Sequence, residues 1–134
     1  MDQLERPEEL TWDERRLWFE AEEARYSQNG ASKLSEQACA LMIDLQATFC
    51  AGAWAAVVIL AATIVEAQLR VDSDIPAGLG RDDLRWLRGL RNQLVHEDPT
   101  APVFTLEDQW TKRDLWQKDA RRAVTTALAL YYQD

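Results

Sequence analysis

The segment from residue 91 to residue 96 reads RNQLVH and contains the one histidine of the chain. Histidine gains and loses a proton close to neutral pH, which suits it to proton transfer. Arginine can hold a phosphate through two hydrogen bonds and can stabilise the charge that develops on it. Because the 2′-hydroxyl of RNA is itself a nucleophile, a base and a cation suffice to cleave an RNA phosphodiester without a metal ion. Arg91, Asn92 and His96 are therefore the candidate catalytic residues.

A helix over residues 81–96 is predicted to carry this segment, and at 100° per residue it sorts its side chains into two arcs. The apolar arc is expected to face the core, and Arg91 falls within it beside Leu84, Leu87, Leu90, Leu94 and Val95. The adjoining polar arc contains Arg81, Arg85, Arg88, Asn92 and His96. Its three arginines are candidate substrate-binding residues, because such a stripe can guide an RNA backbone by charge alone.

Glu66 is the predicted partner of Arg91. It lies on a predicted helix over residues 53–71 and shares one face with Ala55, Ile59 and Ala62. A carboxylate buried on such a face needs a partner. We expect Arg91, which lies in the apolar arc of the later helix, to supply that partner.

The same residues also allow a purely structural interpretation. A histidine in the last turn of a helix is favoured by the helix dipole and by free carbonyl groups. An arginine on an apolar face can serve only to pair with a buried carboxylate. Residue types and spacing leave catalysis and structure open at this point.

The rest of the chain predicts an all-α protein with a single core. Ala and Leu are abundant, and no stretch alternates strictly between apolar and polar residues. A first helix is expected over residues 7–28, with Leu10 and Leu17 on its weak apolar stripe. Its aromatic residues fall partly outside that stripe, so they pack on the body of the domain or meet a partner.

Two further helices are expected on either side of the segments already described. One, capped by Ser32 or Ser35, is expected to run to about Phe49. The other is expected to begin between residues 108 and 111, to continue almost to the end of the chain and to contribute Leu115 to the core.

Composition bears on the partners and the compartment. The chain has 15 basic and 23 acidic residues, and its net charge of −8 would repel nucleic acid if it were evenly spread. The excess of acidic residues, however, lies mainly in the first 50 residues. Cys39 and Cys50 lack the spacing of metal ligands and are interpreted as free thiols in a reducing cytosol. Since the first residues also lack the order of a signal peptide, we expect a cytoplasmic protein with no metal and no cofactor.

The segment from Ala47 to Val65 is uncharged and approaches the length of a membrane span. It is rich in alanine, acidic residues flank it, and no basic cytoplasmic anchor lies close by. We therefore expect a buried central helix and no association with a membrane.

Two segments resemble the HEPN superfamily. Residues 90–96, LRNQLVH, are similar to the R-N-x-x-x-H form of its R-x4–6-H motif. Residues 52–69, GAWAAVVILAATIVEAQL, are similar to its helix of the type G-x-Y/W-x-A-A-V-x-x-A-x-x-x-x-E. The order and separation of the two segments also fit this superfamily.

The resemblance implies a four-helix, up-and-down-type bundle over residues 31–134, with residues 1–30 as an additional N-terminal helical extension. It implies a homodimer in which the motifs of both chains meet in a shared cleft. Many members are metal-independent endoribonucleases of toxin–antitoxin or other defence systems. By position, Arg91, Asn92 and His96 correspond to the motif, and Glu66 corresponds to the acidic position of the preceding helix.

One departure concerns regulation. Superfamily members that are paired with a nucleotidyltransferase antitoxin typically carry a tyrosine two residues after the motif histidine, where it is modified. Asp98 occupies that position here, which argues against this form of regulation.

These observations lead to one main prediction and two alternatives. The main prediction is a homodimeric endoribonuclease that leaves 2′,3′-cyclic phosphate ends and has an antitoxin or another protein as partner. The alternatives are a catalytically inactive dimerisation or protein-interaction module and a module that binds nucleotides or other small ligands. On one ideal helix Arg91 and His96 lie about 140° apart. A second chain or a distorted helix end is therefore needed for both to act on one phosphate.

Overall fold

The computed structural model describes residue 4, residues 6–31 and residues 33–133. These residues form helices and connecting segments without any strand, which confirms the prediction of an all-α protein. The helices are α1 (Glu9–Ser27), α2 (Glu36–Ala51), α3 (Trp54–Val71), α4 (Arg81–Val95), α5 (Asp108–Thr111) and α6 (Arg113–Tyr131). The described part of the chain is therefore a helical bundle.

Helix α3 is the centre of the bundle. It packs most extensively against α6 and α2 and also contacts α4. Its buried residues include Val57, Ala61 and Ile64, which are inaccessible to solvent. α3 has the length and mean hydropathy (1.6) of a membrane span, yet 44% of it is buried within the protein. An apolar helix that packs on three neighbours is accounted for by its place in the core.

The turn between α2 and α3 depends on a glycine. Ser35 begins α2 by accepting a hydrogen bond from the backbone N–H of Ala38 at 3.2 Å, so one of the two predicted caps is confirmed. Ser32, the other predicted cap, lies outside the described residues. Gly52 ends α2 at φ 76°, in the left-handed region that glycine adopts without steric cost. α3 begins two residues later.

The predicted apolar stripe of α1 is wrong. Leu10 and Leu17 are exposed, whereas Phe19 is only 1% exposed. Trp18 stacks on Phe49 of α2 at 4.9 Å between ring centroids. The aromatic rings bury more surface than a leucine does, so they determine which face of this helix packs inward. α1 therefore contributes to the common core, and the division between residues 30 and 31 stays a prediction.

The single last helix predicted from the sequence is also corrected. A short helix, α5, ends at Thr111, and α6 starts two residues later, at Arg113. Trp116 is buried and its ring meets that of Phe104 edge-on at 4.5 Å. This aromatic contact selects the inward face of α6 at its start, and the predicted core residue Leu115 is left exposed.

Candidate functional site

Helix α4 presents its residues largely as the two arcs predict. Leu87 is buried, and Leu84, Leu90 and Leu94 are partly buried against the core. Val95 is the exception, with 44% of its surface exposed. It is the last residue of α4, and residues 96–102, which follow it, are all exposed. The apolar face of α4 therefore ends one residue before the helix does.

Arg91 and Glu66 form the ion pair that the sequence predicts. Nη2 of Arg91 lies 2.5 Å from Oε1 of Glu66, and the two side chains are 23% and 32% exposed. Nη1 of Arg91 also donates a hydrogen bond to Oδ1 of Asn92 at 3.1 Å. The guanidinium group is thus held by two partners, and the Arg91 side chain stays partly accessible to solvent.

Two neighbouring grooves run between α3 and α4. The first, which we term the apolar groove, has a volume of about 360 Å³. Its lining comprises Ala62, Val65, Glu66, Leu69, Ile75, Arg81, Leu84, Arg85, Leu87 and Arg88. The second, which we term the polar groove, has a volume of about 540 Å³. It is lined by Glu66, Leu69, Arg70, Arg88, Arg91 and Asn92, so three arginines and one glutamate border it.

The predicted substrate-binding arginines border these grooves. Arg81, Arg85 and Arg88 are exposed, and none of them forms an ion pair with a described carboxylate. Arg88 lines both grooves, whereas Arg81 and Arg85 line the apolar groove. The structure therefore places these three arginines along one face, beside the Arg91–Glu66 pair.

Arg70 is a member of the polar groove that sequence reasoning missed. It lies in the last turn of α3 and is exposed. The signal was present in the sequence, because Arg70 follows Glu66 by four residues and so occupies the same helix face one turn later.

His96 lies at the end of α4, outside both grooves. Its backbone N–H donates to the carbonyl oxygen of Asn92 at 2.9 Å, and its exposed side chain makes no hydrogen bond with a described residue. Within one chain, therefore, Arg91, Asn92 and Glu66 are brought together with Arg88, whereas His96 is not.

The surface beside His96 is acidic. Asp98 accepts hydrogen bonds from the side-chain hydroxyl and the backbone N–H of Thr100, at 2.8 and 3.0 Å. These two contacts lower the pKa of the Asp98 carboxyl, with the hydroxyl contact as the larger cause. Asp98 is thus stabilised as an anion two residues after His96.

Other chemistry is limited within residues 4, 6–31 and 33–133. Cys39 and Cys50 are free thiols. No group of three or more His, Cys, Asp or Glu side chains in these ranges is arranged to hold a metal ion. The grooves between α3 and α4 and the histidine beside them therefore form the candidate site.

Comparisons with protein-family models, with curated proteins and with solved structures yield no match to this chain. The candidate site consequently rests on the two sequence segments and on the geometry of α3 and α4. Its interpretation depends on what these side chains can do.

Proposed function

We propose that the protein is a metal-independent endoribonuclease of the HEPN type that acts as a cytoplasmic homodimer. The observation that carries the proposal is the polar groove, in which Arg91 is oriented by Glu66 and Asn92 and faces Arg70 and Arg88. A toxin–antitoxin or other defence system, with an antitoxin as protein partner, is the biological setting that the motif resemblance suggests.

The charge of the polar groove supports an RNA substrate. Three arginines and one glutamate line it, so it is locally positive on a chain whose net charge is −8. Binding to a nucleic acid backbone is governed by such local cationic contacts with phosphates and weakens with salt. Arg81 and Arg85 extend the positive surface along α4 and would guide the adjoining phosphates.

The proposed reaction divides its tasks among three residues. His96 removes the proton from a 2′-hydroxyl, whose oxygen attacks the adjacent phosphorus. The bond from phosphorus to the 5′-oxygen breaks, the leaving oxygen takes up a proton, and a 2′,3′-cyclic phosphate remains. Arg91 stabilises the charge on the phosphate oxygens, while Asn92 keeps the guanidinium group in orientation.

The position of His96 supports the homodimer in this proposal. His96 lies outside the polar groove of its own chain, and α4 stays helical from Arg91 to Val95, so it does not turn His96 toward that groove. A second copy related by two-fold symmetry can bring its histidine to the groove, as an isologous interface places the same surface on both subunits. One chain then supplies half of each active site.

RNA cleavage in EDTA tests the proposal. Purified wild-type protein is expected to convert RNA into fragments with 2′,3′-cyclic phosphate ends, and His96→Ala is expected to abolish this activity. Gln93→Ala, an exposed substitution on the same helix, is the matched control and should cleave as the wild type does. Equal cleavage by wild type and His96→Ala would contradict the proposal, because the activity would then be a contaminant or would use other residues.

A catalytically inactive interaction module is the second candidate, and the Arg91–Glu66 pair is the observation that favours it. That pair already satisfies both groups within the fold. The exposed Trp12 and Trp110 offer aromatic surface to a protein partner. Loss of folding in both Arg91→Ala and Glu66→Gln, without cleavage by the wild type, would assign the pair to structure. A rise in melting temperature with nucleotides would instead point to small-ligand binding.

A further inference from the structure

Two arginines from distant parts of the chain meet over the turn between α2 and α3. Nη1 of Arg15, on α1, donates to the carbonyl oxygen of Cys50 at 3.1 Å. Nη2 of Arg113, on α6, donates to the carbonyl oxygen of Gly52 at 2.7 Å. Both guanidinium groups lie over the ring of Trp54, at 4.8 and 5.5 Å from its centroid. We term Arg15 and Arg113 the arginine pair.

The two guanidinium groups converge on one point. A Cβ added at Gly52 would lie 2.8 Å from Nη1 of Arg15 and 3.1 Å from Nη2 of Arg113. The glycine therefore does more than allow the left-handed turn, because its missing side chain leaves the space into which both arginines reach.

The arginine pair lacks the counter-charge that comparable arginines have. Four arginines in the described ranges are half-buried, and two of them have carboxylate partners: Arg16 with Asp13 and Glu20, and Arg91 with Glu66. Neither Arg15 nor Arg113 forms an ion pair with a described carboxylate. Glu14 attracts Arg15 only at longer range, and Gln109, which accepts a hydrogen bond from Arg113, is neutral. Partial burial of a charge without a counter-charge is unfavourable.

Helix capping accounts for only part of this charge. The C-terminus of a helix such as α2 carries about half a negative charge, whereas the arginine pair brings two positive charges. Burial lowers the pKa of both guanidinium groups, and the charge of Arg113 lowers that of Arg15 further. The fold thus holds two positive charges close together, and the partial negative charge of the helix end does not neutralise them.

We propose that the arginine pair binds a phosphate group, carried either by a free phosphate compound or by a phosphodiester of RNA. Guanidinium groups offer paired N–H donors in the geometry that phosphate oxygens accept, and two of them can share one phosphate. Trp54 is 2% exposed, so its ring orients the two guanidinium groups but is not accessible for stacking on a base. The phosphate is therefore the group that the site recognises. This site is separate from the polar groove, since Trp54 and Glu66 lie about 18 Å apart along an ideal helix.

A titration of the ¹⁵N-labelled wild-type protein tests the site directly. Pyrophosphate is added at constant ionic strength, and the backbone N–H of Gly52 and the Nε–H signals of Arg15 and Arg113 are followed. These signals are expected to shift and to saturate together, whereas chloride should not reproduce the shifts. A parallel titration with a short 2′-O-methylated RNA, which lacks the nucleophile, distinguishes the two sources of the phosphate. Failure of both probes to give saturating shifts at these three residues would overturn the proposal.

Variants identify the side chains that bind. Arg113→Gln is expected to weaken binding of the effective probe by about tenfold, as loss of one charge-assisted contact does. Arg121→Gln is the matched control, because Arg121 also lies on α6 and over a tryptophan ring, yet is exposed and away from Gly52. Unchanged affinity in Arg113→Gln, or equal weakening in Arg121→Gln, would contradict the assignment. If Arg113→Gln fails to fold, Arg113→Lys replaces it. This variant keeps the charge and removes the paired donors, so it is also expected to weaken binding.

The site is independent of the proposed ribonuclease activity. In His96→Ala and in Arg88→Gln, which alters the polar groove, the shift of Gly52 is expected to saturate at the same pyrophosphate concentration as in the wild type. An inactive protein that still gives saturating shifts would therefore retain the phosphate site and lose only the proposed enzymatic function.

Discussion

The two ends of α3 lie against arginines of other helices, and these arginines are in opposite electrostatic situations. Near its C-terminal end, Arg91 lies against Glu66, and the pair is locally balanced. At its N-terminal end, Arg15 and Arg113 share the face of Trp54 and donate to backbone carbonyl oxygens. The only negative charge that these carbonyl groups offer is the partial charge of the helix dipole. One helix thus supports a balanced arginine and an unbalanced arginine pair.

This contrast indicates different uses for the same side chain. An arginine that is held by a carboxylate is fixed in position and keeps its remaining donors for a transient partner. Two arginines that repel one another gain most from an anion that stays bound. We infer that Arg91 is suited to stabilising a reacting phosphate, whereas the arginine pair is suited to holding one.

The largest expected effect concerns the RNA cleavage that we propose for this protein. At saturating RNA, Arg91→Ala should lower the initial rate by at least about a hundredfold, the scale of losing one charge-stabilising donor, whereas Arg113→Ala should stay within about twofold. Initial rates are measured in EDTA and divided by the fraction of folded protein from circular dichroism. If both variants lose activity equally while folded, the distinction between the two ends of α3 is wrong.

The next effect concerns the turn that brings the arginine pair together. Gly52→Ala should destabilise the protein by about 2 kcal/mol. The new Cβ would lie 2.8 Å from Nη1 of Arg15, and the alanine would have to adopt the left-handed φ of 76°. Urea unfolding at neutral pH measures the change. Gly89→Ala is the matched control: it lies within α4 with no atom within 4 Å of the added Cβ, and it should stabilise by about 0.5–1 kcal/mol. A neutral Gly52→Ala would mean that the guanidinium groups move aside freely.

The sequence predicts the C-terminal end of α3 well, because local rules apply there. The strong helical periodicity of residues 81–96 separates Leu87 from Arg88, and the requirement of a buried carboxylate for a partner links Glu66 to Arg91 across 25 residues. Both are present in the structure. Arg70 was accessible to the same reasoning through its spacing from Glu66.

The N-terminal end of α3 could not be predicted in the same way. Arg15 and Arg113 lie 98 positions apart, and only the packing of α1 and α6 on the same turn brings them together. The weak apolar pattern of α1 predicts the wrong inward face, because large aromatic rings bury more surface than leucine at that contact. Without the correct face of α1, the position of Arg15 has no basis in the sequence.

The smallest expected effect compares the coupling energy of the Arg91–Glu66 pair with that of the arginine pair. The two coupling energies are expected to have opposite signs, so they measure the difference between the two ends of α3 directly. In a double-mutant cycle, Arg91→Met and Glu66→Gln should together destabilise by less than the sum of the single changes, with a coupling of about 1 kcal/mol, discounted for partial exposure. Arg15→Met and Arg113→Met should together destabilise by more than their sum, by about 0.5 kcal/mol, because either change alone already removes the repulsion. Unfolding free energies in low salt measure both cycles. A coupling of zero for Arg15 and Arg113 would mean that solvent screens their repulsion fully, and a coupling of the same sign as that of Arg91 and Glu66 would mean that they do not repel one another. Either result would remove the need for a bound anion.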